Sequence, residues 1–179
     1  WNQIDTETLC SIYLIDTLLT MSEFTQAWEV LNQIKERTQG FSPWFEGIIE
    51  ETEVNYLITT ENYSAAMKWA VDKGLDSRDP LHPSKQQTYT NYARILFHQG
   101  RISEALELVN RLLVDCESAK IKRAQLVLLP FKSLILFELN KQEEAIKALE
   151  FALSLAESEG HKLGFIQYGE PMVPLLRLV

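Results

Sequence analysis

The sequence predicts an all-α protein: a right-handed α-solenoid of about four helix pairs, closed by a short C-terminal capping segment. Three observations lead there. First, the stretch "LFHQGRISEALELV" (96–109) recurs as "LLTMSEFTQAWEVL" (18–31), "LITTENYSAAMKWA" (57–70) and "LFELNKQEEAIKAL" (136–149). In each copy a leucine (Leu18, Leu57, Leu96, Leu136) stands nine residues before an alanine (Ala27, Ala66, Ala105, Ala145), and the alanines are 39, 39 and 40 residues apart. Second, the residues around each alanine follow helical spacing. Ile102, Ala105, Leu106, Val109, Leu112 and Leu113 fall on one face, as do Ala145, Ile146, Leu149, Ala152, Leu153 and Ala156. Third, such a helix pair cannot bury its apolar face alone, so repeated pairs stack and share a core.

The first unit spans about 4–40, with helices near 4–20 and 23–38 and Gly40 as the stop. Glycine at a helix end takes a positive φ without the steric cost of a Cβ. The second unit, 43–74, begins at Ser42-Pro43, an N-cap hydroxyl followed by proline in the first turn. Its helices fall near 43–59 and 62–73, and Gly74 ends it. The proline-containing segment "GLDSRDPLHPS" (74–84) then interrupts the pattern as a linker. The third unit, 84–118, holds helices near 84–98 and 101–118. The fourth, 120–158, holds helices near 120–139 and 141–158, with Gly160 behind them. Each alanine anchor is small enough for paired helices to approach closely.

Two stretches stand apart. Pro130 lies mid-helix, where its ring opposes the Leu126 carbonyl and removes one hydrogen bond. A kink or a split helix is expected there, with the freed carbonyl taking water, a side chain or a ligand as partner. Residues 160–179, including "GFIQYGEPMVPLLRL", read as a cap over the apolar end of the last pair, with "GFIQY" the one stretch whose spacing also suits a strand. If part of that cap stays exposed, self-association follows. The whole chain is thus expected to form one repeat domain, 1–179.

Composition narrows the function. With 17 basic and 25 acidic residues the net charge is −8. That opposes direct contact with nucleic acid, which needs a basic face against phosphate. No apolar run is long enough to span a bilayer. Cys10 and Cys116 are isolated, and isolated cysteines in helical contexts suit buried thiols in a reducing cytoplasm. The chain opens on Trp1 with no initiator methionine or signal pattern, and reads as an excised fragment.

Catalytic motifs are missing from the sequence. His82, His98 and His161 lie apart, without metal-ligand spacing or a nucleophile elbow. "EGIIEETE" (46–53) and "KQEEA" (141–145) read as solvated helix faces. The expectation is a non-enzyme with no cofactor and no metal. Phe41, Trp44 and Phe45, grouped between the first two units, read as junction core.

The helix pairs resemble tetratricopeptide repeats with a lengthened period. Across 74–179 the resemblance sharpens: "GLDSRDP", "YARILFHQGRISEALELV" and the closing "LAESEG…GFIQYGEPM" are similar to the repeat domain of MalT-like regulators, LuxR-class bacterial transcription activators built on a signal-transduction ATPase. Over 1–73 only the period supports it. Those regulators usually carry an acidic residue before Gly-Glu-Pro-Met, where this chain has Gln167-Tyr168. The resemblance implies a cytoplasmic sensing and protein-interaction layer, taking a small-molecule inducer or a regulatory protein. The alternative is a free-standing adaptor that holds a peptide in its concave groove. The chain has no G-x-x-x-x-G-K-[ST], so a P-loop nucleotide site is excluded from it.

Placed in the tetratricopeptide frame, first-helix positions line the concave wall. The candidate ligand-binding residues are Glu51, Asn55, Gln87, Thr90, Arg94, Phe97, His98 and Phe137, flanked by Asp16, Leu19, Thr20, Ile58, Thr59, Leu134 and Glu138. The third unit combines the most polar groups with an aromatic, the mixture a small-ligand site requires. The competing reading pairs Arg94 with Glu51 or Glu138 and makes Phe97 and Phe137 packing residues.

Overall fold

A computed structural model describes residues 3–40, 42–160 and 163–179. In chain order its helices are α1 (Gln3–Thr20), α2 (Phe24–Thr38), α3 (Pro43–Thr59), α4 (Tyr63–Asp72), a 3₁₀ turn (Pro83–Lys85), α5 (Gln86–His98), α6 (Ile102–Ser118), α7 (Lys122–Glu138), α8 (Gln142–Glu159), α9 (Leu163–Ile166) and α10 (Met172–Leu176). The eight long helices fall where the repeat places them, and the fold is all-α with tetratricopeptide-like pairs. Among the described residues there is no strand, and "GFIQY" contributes instead to α9 and the turn after it. Phe41 and His161 lie outside the described residues. The chain divides into two compact units, 1–73 and 74–179, at the start of the proline-containing segment.

The pairs α1–α2, α3–α4, α5–α6 and α7–α8 are each joined by three residues, which leaves antiparallel packing as the arrangement. The middle residue of each connection is left-handed: Ser22 (φ 61), Glu61 (φ 61), Gly100 (φ 75) and Asn140 (φ 59). The next residue then donates back across the helix end, Glu23 N to Leu18 O at 2.9 Å, Asn62 N to Leu57 O at 2.8 Å, Arg101 N to Leu96 O and Lys141 N to Leu136 O at 2.9 Å. This is a Schellman closure, which satisfies carbonyls that a helix end leaves without partners. The leucine that recurs nine residues before each alanine is therefore the acceptor of the turn. All four anchor alanines are fully buried.

In the first unit, Ile15, Leu18, Leu19, Ala27, Leu31, Ile34 and Ile49 form the core, with Ile12, Val30 and Tyr56 against it. Ser42 caps α3 as its sequence predicts: its Oγ accepts from Trp44 N at 3.2 Å, with Pro43 in the first turn. The junction aromatics separate, Phe45 buried and Trp44 exposed, so Trp44 does not join the core expected for that group.

The second unit opens with the segment read as a linker, which is bolted to α5 and α6. Ser77 Oγ donates to Glu104 Oε1 at 2.6 Å, while Arg101 grips the same carboxylate through Nε (2.9 Å) and Nη2 (2.7 Å). Arg111 donates to the carbonyls of Ser77 and Asp79. The Asp79 carboxylate accepts from Asp76 N at 3.0 Å and from the buried Tyr89 hydroxyl at 2.9 Å. The backbone donor and then Tyr89 hold Asp79 below its usual pKa, and burial followed by the Asp79 bond pushes Tyr89 up to about 12.

At the other end of this unit Leu134, Leu136, Ala145, Leu149, Met172 and Leu175 form one cluster, so α10 closes the last pair as the cap reading requires. The α7 helix runs unbroken through Pro130, which excludes the split helix that the proline allowed.

Candidate functional site

The groove positions fall into two sets, each within its own unit. On α1 and α3, Asn55 Nδ2 donates to Asp16 Oδ1 at 3.3 Å, across one repeat period. Leu19 and Ile58, placed on the wall by the tetratricopeptide frame, are instead core residues. Glu51 and Thr59 are half-buried, and the Thr20 hydroxyl donates to the Asp16 carbonyl at 2.8 Å.

The second set lies on α5 and α7. Helical spacing puts Gln87, Asn91, Arg94 and His98 along one stripe of α5. Gln87 Nε2 donates to Oδ1 of the fully buried Asn91 at 3.3 Å. Thr90 is 1% exposed and donates its hydroxyl to Gln86 O at 2.8 Å, so it serves its own helix and does not reach an open surface. Leu134 is buried, Phe137 packs half-buried on the end cluster, and Glu138 is exposed. Gln87, Arg94, Phe97 and His98 thus keep access on α5, while Phe137 belongs to the packing at the chain end.

Phe97 starts a run of aromatic rings. Its ring meets His98 edge-on at 5.3 Å and Phe131 edge-on at 5.6 Å, and Phe131 stacks on Tyr168 at 5.6 Å with planes 8° apart. Edge-to-face and offset contacts at this spacing are the favoured geometries of aromatic quadrupoles. His98 keeps contact with solvent, yet desolvation by the surrounding protein, with the Arg94 cation second, holds its pKa down at about 4. The ring is neutral at pH 7, and Arg94 supplies the positive charge of the strip. Burial pushes the Tyr168 hydroxyl above the usual tyrosine range, against a smaller opposing pull from Arg94.

Phe131 and Tyr168 were invisible as site residues in the sequence. Phe131 sits in an uninterrupted apolar run, and Tyr168 is brought to α7 by the cap. The one available signal was Tyr168 beside Gly-Glu-Pro-Met, where the resemblance drawn from the sequence implies an acidic residue. Among the described residues, no cluster of three or more His, Cys, Asp or Glu is arranged to hold a metal. Nor, among them, is any helix long and apolar enough to cross a membrane.

Helix pairs with a buried alanine anchor and a leucine-closed turn define a repeat protein of the tetratricopeptide type. The MalT-like TPR region matches residues 1–179, and the chain belongs to that family. A search of curated proteins gave no match.

Proposed function

We propose that this chain is the effector-sensing and protein-interaction domain of a MalT-like transcriptional regulator of the LuxR class, acting in the cytoplasm without catalysis or a cofactor of its own. A small-molecule inducer or a regulatory protein is the partner, and self-association and the flanking domains carry the response. The observation that carries this reading is the α5 strip, where Arg94, neutral His98 and the Phe97 ring stand within one helical turn of each other. A fixed cation, an uncharged hydrogen-bonding ring and an apolar edge orient a ligand and give it surface to cover. The partner binds one arrangement of the repeats better than another and shifts their population. An adaptor with a carboxylate clamp fits less well, because the Asn55 amide is directed to Asp16.

A thermal-shift screen with sugars, amino acids, aromatic metabolites and short peptides tests the proposal. A ligand at ~100 times its Kd adds about 2.7 kcal/mol of stability. A hit lost in Arg94→Ala supports a small-molecule site on α5. Unchanged melting across the panel removes the small-molecule reading and leaves a protein partner.

A further inference from the structure

The cap and the α5 strip meet at the proline of α7. Pro130 has no N–H, so the Leu126 carbonyl loses its helical donor, and the ring crowds the preceding turn. In that turn the neighbouring carbonyl, Val127 O, accepts a hydrogen bond from the Tyr168 hydroxyl at 3.0 Å. The Tyr168 ring lies flat on Phe131, the residue after the proline. Phe131 is 2% exposed and holds the edge of Phe97 on its other side. One tyrosine of the C-terminal segment therefore binds the turn of α7 that the proline crowds, at the carbonyl next to the one left without its helical donor, and supports the aromatic residue of the sensing strip.

The segment that carries this tyrosine is otherwise attached through Met172 and Leu175, buried in the end cluster, and through Phe165, packed against it. Its helices are four and five residues long, separated by a turn in which Gly169 is left-handed (φ 57). Met172 and Leu175 are buried, whereas Ile166, Val173 and Leu176 are exposed. A segment of helices only four and five residues long opens at a lower free energy than the long helix pairs beneath it.

We propose that residues 163–176 form a clasp, docked through Tyr168 on the Pro130 turn of α7, and that its docking and the ordering of Phe97 on α5 stabilise each other. Docked, the clasp clamps Phe131 and so fixes Phe97. Released, it frees Phe131 and loosens the C-terminal turn of α5. Whatever favours a fixed Phe97 favours a docked clasp to the same degree, because coupling free energies are reciprocal. The biological meaning of the clasp rests on the α5 strip being the sensing surface; the coupling itself does not require a ligand.

Hydrogen exchange on the full chain, without any ligand, tests the coupling. Tyr168→Ala is expected to speed exchange at least ~10-fold both in 163–176 and in the C-terminal turn of α5 (94–98), and Tyr168→Phe to do so less in both places. Phe97→Ala is expected to speed exchange in 163–176. Ala152→Gly in α8, compared with these variants after matching for global stability, is expected to leave 94–98 at the wild-type rate. Faster exchange in 163–176 with 94–98 unchanged in Tyr168→Ala overturns the proposal, as does equal acceleration of 94–98 in Ala152→Gly. If Tyr168→Ala fails to fold, the Tyr168→Phe and Phe97→Ala pair decides alone. A failure here leaves the thermal-shift result standing, and silence in the thermal-shift screen leaves the coupling standing.

Discussion

Residues 16, 55, 94 and 134 occupy one position of the repeat, as do 19, 58, 97 and 137. In the first unit these positions hold Asp16 and Asn55, bonded to each other, above Leu19 and Ile58, which are sealed in the core. In the second they hold Arg94 and Leu134, the arginine half-buried and the leucine buried, beside half-buried Phe97 and Phe137. The same backbone thus makes a self-satisfied polar pair over aliphatics in one unit. In the other it makes a charged, aromatic strip braced from behind by Phe131. The repeat fixes where a side chain projects, and side-chain identity alone decides whether that place is packing or a candidate site.

The largest expected effect tests whether the aromatic run bears stability. Phe131→Ala should cost about 3–5 kcal/mol, as full-size core truncations do. Leu31→Ala in the first unit should cost about 2–5 kcal/mol. Denaturation curves that change only in the second unit's probes for Phe131→Ala sharpen the contrast; a loss under ~1 kcal/mol would break it.

The turns should respond alike in both units. Glu61→Gly relieves a non-glycine residue at φ 61 and is expected to stabilise by about 1 kcal/mol. Gly100→Ala meets no atom within 4 Å of the new Cβ, so its expected cost of about 1–2 kcal/mol is purely that of the left-handed backbone. Opposite signs of these two changes in chemical denaturation establish that the turn geometry, rather than the residue, is what repeats.

Tyr168→Phe keeps the stack on Phe131 and removes the bond to Val127 O, for an expected loss of about 1 kcal/mol. Asn55→Ala, at a solvent-facing pair, should stay within about 0.5 kcal/mol. If Asn55→Ala costs more than Tyr168→Phe, the ranking of the two strips is reversed.

Acid should separate the strips as well. The pKa of His98 falls from 6.5 to about 4 on folding, so the native state binds fewer protons than the unfolded chain between those values. Its contribution is favourable above about pH 6.5 and is lost as pH falls from there through about 4. Arg94→Gln removes the second cause of the shift and should raise the folded pKa, read as the imidazole chemical shift during an NMR titration.

Much of the fold was legible because periodicity is a property of residue type. The leucine–alanine spacing gave the pairs, and Ser42-Pro43, Gly40, Gly74 and Gly160 gave their limits. The left-handed turns at Ser22, Glu61 and Asn140 were not legible, since three different residues adopt one dihedral there, and only Gly100 advertises it. The "linker" at 74–84 concealed its order for a related reason: Ser77, Asp79 and Glu104 find their partners through space, up to 34 residues away. The candidate site was half legible. Arg94, Phe97 and His98 follow from the repeat frame, whereas Phe131 and Tyr168 come together only when the cap folds back on α7.

The joint of each pair joins main chain to main chain, a leucine carbonyl to an amide five residues on. Side chains do not form that bond; they only set how easily the middle residue takes its left-handed φ. A duplication with its breakpoint inside a turn therefore passes on the hydrogen bond that closes it. An array built this way can lengthen or shorten by whole pairs, and its first-helix positions can exchange Asp for Asn, Arg or Leu, while selection never has to repair the joint.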